Sequence, residues 1–261
     1  MIPPDLLARL VAEARQDLER RRALKTSDEL ELAIHAYTPK DFVGALRRPH
    51  LSVIAEMKQR TPSMGVLAEE YRPNDIARAY SEGGAAAISV LTHMAGFGGR
   101  PEHIEAARLA TDLPILRKDF ITDPYEIGEA RAEGADAVLL IVAALEPADL
   151  RRLLAVVRSR GLSALVEVHD EREAEVAVEA GAPVVGVNHR DLRTFEVDLG
   201  LTERLRPLVP DAIPLVAESG IHSVDDARRM REAGADAILV GEMLMRAPDP
   251  AARLRELASI S

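Results

Sequence analysis

The chain is 261 residues long, 47% apolar and 29% charged, with neither Cys nor Trp. That length exceeds most single sandwiches and bundles and suits one (β/α)8 barrel, for which about 250 residues is typical, while the apolar content excludes a disordered chain. The lack of Cys excludes a disulfide scaffold, a thiol nucleophile and a thiolate-held metal, and a net charge of −10 without any local basic patch argues against nucleic acid as a partner.

The longest apolar runs, such as Ala137 to Leu145, fall short of the ~20 residues that a membrane span requires. Met1 to Glu13 carries acids and no signal-like apolar stretch. The expectation is a soluble cytoplasmic protein without membrane contact.

In chain order, residues 1–50 read as a helical extension. Leu7, Leu10, Val11, Ala14 and Leu18 are spaced as one face of a helix, Thr26-Ser27-Asp28-Glu29 reads as a capping box, and Thr38-Pro39 starts another short helix before Pro49. The stripe covers too few heptads for a partner-binding coiled coil, so the extension is expected to pack as a lid on the rest of the chain.

From residue 51 to 261 short apolar runs alternate with amphipathic stretches. The runs are Leu51 to Glu56, Ala86 to Leu91, Pro114 to Lys118, Ala135 to Ile141, Ser163 to Val168, Pro183 to Asn188, Ile213 to Glu218 and Ala235 to Val240. Between them lie helical patterns at Asp75 to Glu82, Pro124 to Glu133, Pro147 to Arg160, Glu171 to Ala180 and Ser223 to Ala233, with Gly83, Gly134, Gly161, Gly181 and Gly234 placed to end helices. Eight strands that read as nearly continuous apolar segments imply a parallel sheet closed into a (β/α)8 barrel of the TIM type, single-domain overall, with the N-terminal extension packed on it. Glu133-Gly134-Ala135-Asp136-Ala137 is nearly repeated at Glu232-Ala233-Gly234-Ala235-Asp236-Ala237, a recurring helix-to-strand loop.

In such a barrel reactive side chains sit at the C-terminal strand ends, and strand side chains alternate with period two. Ile54, Glu56 and Lys58 then share a face, as do Leu116 and Lys118, Leu165 and Glu167, and Asn188 and Arg190. The expected mouth holds Glu56, Lys58, Lys118, Glu167, Asn188, Arg190 and Glu218, lysines and carboxylates suited to acid and base roles. Glu218-Ser219-Gly220-Ile221 and Val240-Gly241-Glu242-Met243 place small residues after the last two strands, where barrels commonly bind a phosphate through backbone N–H groups. The seven His show no metal-ligand spacing and read as surface or capping residues, so no metal is expected.

Val53-Ile54-Ala55-Glu56-Met57-Lys58 with Thr61-Pro62-Ser63, Ser89-Val90-Leu91-Thr92, Leu116-Arg117-Lys118-Asp119-Phe120, Leu165-Val166-Glu167-Val168-His169, Asn188-His189-Arg190-Asp191-Leu192 and Glu218-Ser219-Gly220-Ile221 together resemble the indole-3-glycerol-phosphate synthase family of tryptophan biosynthesis. The likeness runs in order over essentially the whole chain. It implies a metal-free and cofactor-free carboxy-lyase that closes the indole ring of 1-(2-carboxyphenylamino)-1-deoxyribulose 5-phosphate with loss of CO2 and H2O.

By that resemblance Lys118 is the general acid at the ribulose carbonyl, Lys58 and Glu167 act as the later proton donor and base, and Glu56 and Asn188 orient and hydrogen-bond. Arg190 supports the carboxyl side. Ser219, itself counted in the catalytic set, matches the phosphate loops with Gly220, Gly241 and Glu242. Ser63 and Glu218 are further substrate contacts, and Phe97, Phe120, Leu139, Ile141 and Leu192 form the apolar slot for the anthranilate ring.

The implied partner is a phosphorylated small molecule, and the implied assembly a monomer or weak homodimer. The chain departs from the family pattern at Thr61, at Met64 and across His93 to Arg100, all in loops after the first two strands. Those departures leave open a paralogue acting on a substituted anthranilate. An inactive scaffold in a pathway complex is the other alternative, and the retained Lys58, Lys118 and Glu167 speak against it.

Overall fold

A computed structural model describes residues 6–34, 37–61, 65–191, 194 and 196–261. Eight parallel strands close into a barrel: β1 (Ser52–Met57), β2 (Ala87–Leu91), β3 (Ile115–Lys118), β4 (Ala137–Ile141), β5 (Ser163–Val168), β6 (Val184–Asn188), β7 (Leu215–Glu218) and β8 (Ala237–Val240), with β8 paired back to β1. Every one of the eight apolar runs is a strand within a residue or two of its expected limits.

The helices are α1 (Leu6–Leu24), α2 (Ser27–Ile34), α3 (Phe42–Leu46), α4 (Pro73–Glu82), α5 (Met94–Phe97), α6 (Glu102–Ala110), α7 (Pro124–Ala132), α8 (Pro147–Ser159), α9 (Glu171–Glu179), α10 (Leu201–Leu205), α11 (Val224–Glu232), α12 (Glu242–Met245) and α13 (Pro250–Ala258). A short hairpin, Arg60–Thr61 with Gly65–Val66, follows β1.

The period-two alternation partitions the core. Ile54, Leu116, Leu139, Ile141, Leu165, Val184, Val216 and Leu239 pack together inside the barrel, and Phe42 and Leu46 of α3 join that cluster. Val53, Ala55, Met57, Val138, Leu140, Val166, Val185 and Ala217, one residue out of step, face the helices with Leu150, Leu153, Leu254 and Leu257. A slip of one residue in any strand exchanges these two sets, so burying both faces pins the register.

The recurring loop has a specific job at the N-terminal end of the barrel. Asp136 accepts from the Ile115 N–H at 2.6 Å while its own N–H donates to the Ile115 carbonyl at 2.8 Å, locking the start of β3. Asp236 repeats this on β7, accepting from the Leu215 N–H at 2.8 Å and donating back to Leu215 at 2.9 Å. Asp136 is further wrapped by the Tyr37 hydroxyl at 2.5 Å, the Lys40 N–H at 2.6 Å and the Arg108 guanidinium.

Gly83 ends α4 as expected, in a right-handed conformation with φ −76°, and Gly84, at φ 84°, takes the left-handed turn. Gly83 is needed for a different reason, since a Cβ there would sit 2.7 Å from Leu254 Cβ. The short helix before Pro49 begins after Asp41, whose side chain caps the Gly44 N–H at 2.8 Å, and not at Thr38-Pro39. The Thr26 to Glu29 capping box is present, with Thr26 N–H donating to Glu29 at 2.7 Å and Glu29 N–H donating to Thr26 Oγ1 at 3.3 Å.

Helix α1 buries Leu6, Leu10, Val11, Ala14 and Leu18, so the expected stripe is right except that Leu6 rather than Leu7 is the fully buried first member. Arg21 fastens it to the barrel wall, pairing with Glu129 of α7 at 2.9 Å and with Glu126 at 3.4 Å. Among the described residues no helix is long and apolar enough to cross a membrane.

Candidate active site

The C-terminal strand ends converge on one cavity roofed by Leu6, Leu7 and Leu10 of α1. Of the residues singled out in the sequence, Glu56, Lys58, Phe97, Lys118, Phe120, Leu139, Ile141, Glu167, Asn188, Arg190, Glu218, Ser219, Gly220, Gly241 and Glu242 all line it. Ser63, Met64 and Leu192 lie outside the described residues.

Lys118, the last residue of β3, reaches across the barrel to two carboxylates. Its Nζ lies 3.2 Å from Glu167 Oε2 at the end of β5 and 3.3 Å from Glu218 Oε2 at the end of β7. Asn188 Nδ2, at the end of β6, donates to the other Glu167 oxygen at 3.1 Å, and the Arg190 backbone N–H donates to Asn188 Oδ1 at 3.1 Å. A second acid–base pair stands on β1 and its following loop, with Lys58 Nζ 2.5 Å from Glu56 Oε1.

Burial sets the electrostatics of this group, because it penalises every charge and leaves neighbours to decide which survive. It opposes the Lys118 ammonium, yet Glu167, Glu218 and Glu56 outweigh it and raise the lysine pKa. It opposes the Glu167 carboxylate too, but Lys118 and His169 hold that group well below the usual range. For Glu218 burial prevails, helped by the nearby Glu167 and Glu56 charges, and its pKa is pushed up to about 7 against the pull of Lys118. Lys118 is thus a cation within hydrogen-bond reach of one anion, Glu167, and of one carboxyl, Glu218, whose pKa burial pushes up to about 7.

Two backbone features shape the opposite wall. Ser219 has φ 65° and Gly220 φ 75°, so the chain leaves β7 through two consecutive left-handed residues. Gly241 follows β8, and a Cβ there would stand 2.6 Å from Glu56 Oε1 and 3.1 Å from Lys58 Cε. Its missing side chain makes room for the Glu56–Lys58 pair. Phe97 and Phe120 flank the mouth, and His93 packs edge-on to Phe120 with ring centroids 5.1 Å apart.

The reading of the histidines needs correction. His93 does cap a helix, accepting from the Gly96 N–H. His169, half-buried, and His189, buried, instead pack against the site. His169 Nε2 lies 3.4 Å from Glu167 Oε1 and Nδ1 3.1 Å from Glu173 Oε2, and although burial opposes its protonation, those contacts push its pKa up to about 10. Its position two residues after Glu167 places it on the same strand parity, a signal present in the sequence. The roof contributed by Leu6 and Leu10 carried no such signal, because a helix stripe does not reveal what it covers. Among the described residues no group of three or more His, Asp or Glu is placed to hold a metal ion.

A closed parallel barrel with acids and bases ringed at its C-terminal mouth defines a (β/α)8-barrel enzyme. A family model described as indole-3-glycerol phosphate synthase matches residues 7–257. The chain is 59% identical over 253 residues to indole-3-glycerol phosphate synthase 2 of Streptomyces coelicolor, covering 97% of this chain and 98% of that one. It is 46% identical over 258 residues to the indole-3-glycerol phosphate synthase of a Dehalococcoides mccartyi strain, covering 97% and 99%. It belongs to the indole-3-glycerol phosphate synthase family, carboxy-lyases of tryptophan biosynthesis. Among solved structures, thiamine phosphate pyrophosphorylase from Pyrococcus furiosus superposes with a TM-score of 0.62 at 24% identity, covering 81% of this chain and 95% of that one. An N-acetylmannosamine-6-phosphate 2-epimerase from Clostridium perfringens gives 0.60 at 18%, covering 79% and 92%. These two likenesses show the barrel fold alone.

Proposed function

We propose that this chain forms indole-3-glycerol phosphate from 1-(2-carboxyphenylamino)-1-deoxyribulose 5-phosphate, and that Lys118 is the acid of the first step. The observation that carries the assignment is the Lys118 ammonium held between Glu167 and Glu218 at the floor of a cavity with an apolar roof.

The aromatic carbon bearing the carboxylate attacks the ribulose carbonyl carbon, and the carbonyl oxygen gains charge as the new bond forms. Lys118 supplies positive charge and then a proton at that oxygen. The carboxylate leaves as CO2, its bonding electrons restoring the ring. The hydroxyl just formed departs as water with a proton from Lys58, while Glu167 takes a proton from the adjacent methylene carbon. Glu56 orients Lys58 through their 2.5 Å contact, and Asn188 orients Glu167.

The Ser219-Gly220 turn and Gly241 take the phosphate, with Glu242 alongside. Phe97, Phe120, Leu139 and Ile141 hold the anthranilate ring, with Arg190 toward its carboxylate. Water exclusion beneath Leu6 and Leu10 strengthens each charged contact.

The test is direct turnover: fluorescence of indoleglycerol phosphate appearing as the carboxyphenylamino substrate is consumed, with one CO2 released per product. Consumption without fluorescence or without CO2 defeats the reading.

A further inference from the structure

His189 is the residue between Asn188 and Arg190, and its side chain points away from the cavity into the wall. It is 2% exposed, and both ring nitrogens are engaged: Nδ1 lies 3.0 Å from the Ser219 carbonyl oxygen, Nε2 2.7 Å from Thr202 Oγ1. A carbonyl oxygen only accepts, so Nδ1 carries the hydrogen and Nε2 accepts the Thr202 hydroxyl proton. Burial lowers the His189 pKa, in keeping with a neutral ring. Thr202, on α10, is fully buried, and its hydroxyl engages the second ring nitrogen.

The residue it grips is unusual. Among the described residues Ser219 is the one non-glycine with a positive φ. A side chain in that conformation carries strain that persists only where the surroundings over-determine it. His189 supplies that constraint at two points, since its own N–H also donates to the Glu218 carbonyl at 3.0 Å. The loop after β6 closes the turn from the other side, because a Cβ on Gly220 would meet Val197 Cγ1 at 2.3 Å.

We infer that His189 is a positioning residue which, braced by Thr202, holds Ser219 in its left-handed conformation and so keeps the Ser219-Gly220 turn shaped to receive the substrate phosphate. The inference rests on the phosphate assignment proposed above. It separates two uses of the strand end after β6: Asn188 faces the reacting groups, and its neighbour His189 acts on the anion seat through the adjacent strand.

The experiment measures inorganic phosphate as a competitive inhibitor, together with KM and kcat for the phosphorylated substrate. His189→Leu should raise both the phosphate inhibition constant and KM by about tenfold while kcat changes less than about threefold. His189→Asn, which keeps an N–H on the Nδ1 side, should recover most of that loss.

A purely structural histidine would act equally whatever residue stands at 219, so the deciding measurement is a double-mutant cycle. In a Ser219→Gly background, where the left-handed turn is unstrained, His189→Leu should change phosphate inhibition less than about twofold. An equal loss in both backgrounds overturns the inference. If His189→Leu fails to fold, Thr202→Val removes the brace alone, and its effect should vanish in the same Ser219→Gly background; persistence there is equally fatal. Phosphate that competes normally but is indifferent to His189→Leu defeats this inference and leaves the proposed reaction standing. Phosphate that never competes in the parent enzyme defeats the phosphate seat and this inference with it.

Discussion

Gly186 and Glu218 occupy the same space in the barrel: a Cβ on Gly186 would lie 2.1 Å from Glu218 Oε1. Gly186 is the inward residue of β6 just below Asn188, and β6 and β7 pair so that Asn188 stands beside Glu218. The glycine therefore serves its neighbour strand. Its missing side chain lets the Glu218 carboxyl fold inward to within 3.3 Å of Lys118 Nζ.

Gly186→Ala should accordingly do two things at once. Overpacking at a fully buried site destabilises the fold by about 1–3 kcal/mol. The displaced Glu218 also leaves Lys118 with Glu167 as its close carboxylate, and kcat should fall by about tenfold or more. Thermal unfolding and steady-state turnover check the pair, and a variant with full kcat would show that the inward carboxyl is dispensable.

Lys118→Met and Glu167→Gln separate acid from base. Both should lower kcat by about 10²–10⁴-fold with little change in substrate binding, which rests on the phosphate and ring contacts. In rapid-mixing experiments Lys118→Met should release no CO2 in the first turnover, whereas Glu167→Gln releases CO2 and then stalls before dehydration. Normal CO2 release by Lys118→Met would transfer the acid role to Lys58.

Behind Lys118 lies a buried charge cluster whose titration should be visible in stability. Arg117, with no exposed surface, pairs with Glu133 at 3.2 Å, Asp119 at 3.3 Å and Glu129 at 3.6 Å. Burial pushes Glu126 and Glu133 each up to about 7. A raised folded-state pKa means folding favours the protonated form, so this contribution is complete below the unfolded value near 4.5 and is lost as pH rises through about 7. Urea unfolding at pH 5 and pH 8 should show Glu133→Gln losing less stability over that interval than the parent, by a few kcal/mol at most. An identical pH slope in both proteins would refute the assignment.

The duplicated loop predicts unequal costs. Asp136→Ala leaves the Ile115 and Lys40 N–H groups, the Tyr37 hydroxyl and the Arg108 guanidinium without their shared acceptor, and should destabilise by about 3–5 kcal/mol. Asp236→Ala loses the Leu215 N–H bond and a more distant Arg206 contact at 3.6 Å, with a side chain 39% exposed, and should cost about 1 kcal/mol. Chemical denaturation of the two variants decides whether the surroundings of the second copy matter as much as those of the first.

The barrel and its inward-facing ring were determined by local pattern. Strand parity in β1, β3 and β5 put Glu56, Lys118 and Glu167 on the same side as Ile54, Leu116 and Leu165, and the structure keeps all three there. This works because alternation along a strand is a property of adjacent residues, independent of what the strand pairs with. Other assignments depend on which residues meet across the fold. Arg117 and Lys118 are sequence neighbours of like charge, yet one is sealed against Glu129 of α7 and Glu133 just past its end, and the other faces two carboxylates inside the barrel. The need for glycine at 186, the engagement of His189 with Ser219, and the capping of the mouth by Leu6 and Leu10 rest on the registers of β6 with β7 and on where α1 docks. Those registers are set by the simultaneous burial of both faces of every strand, which is a property of the closed barrel and of no single segment.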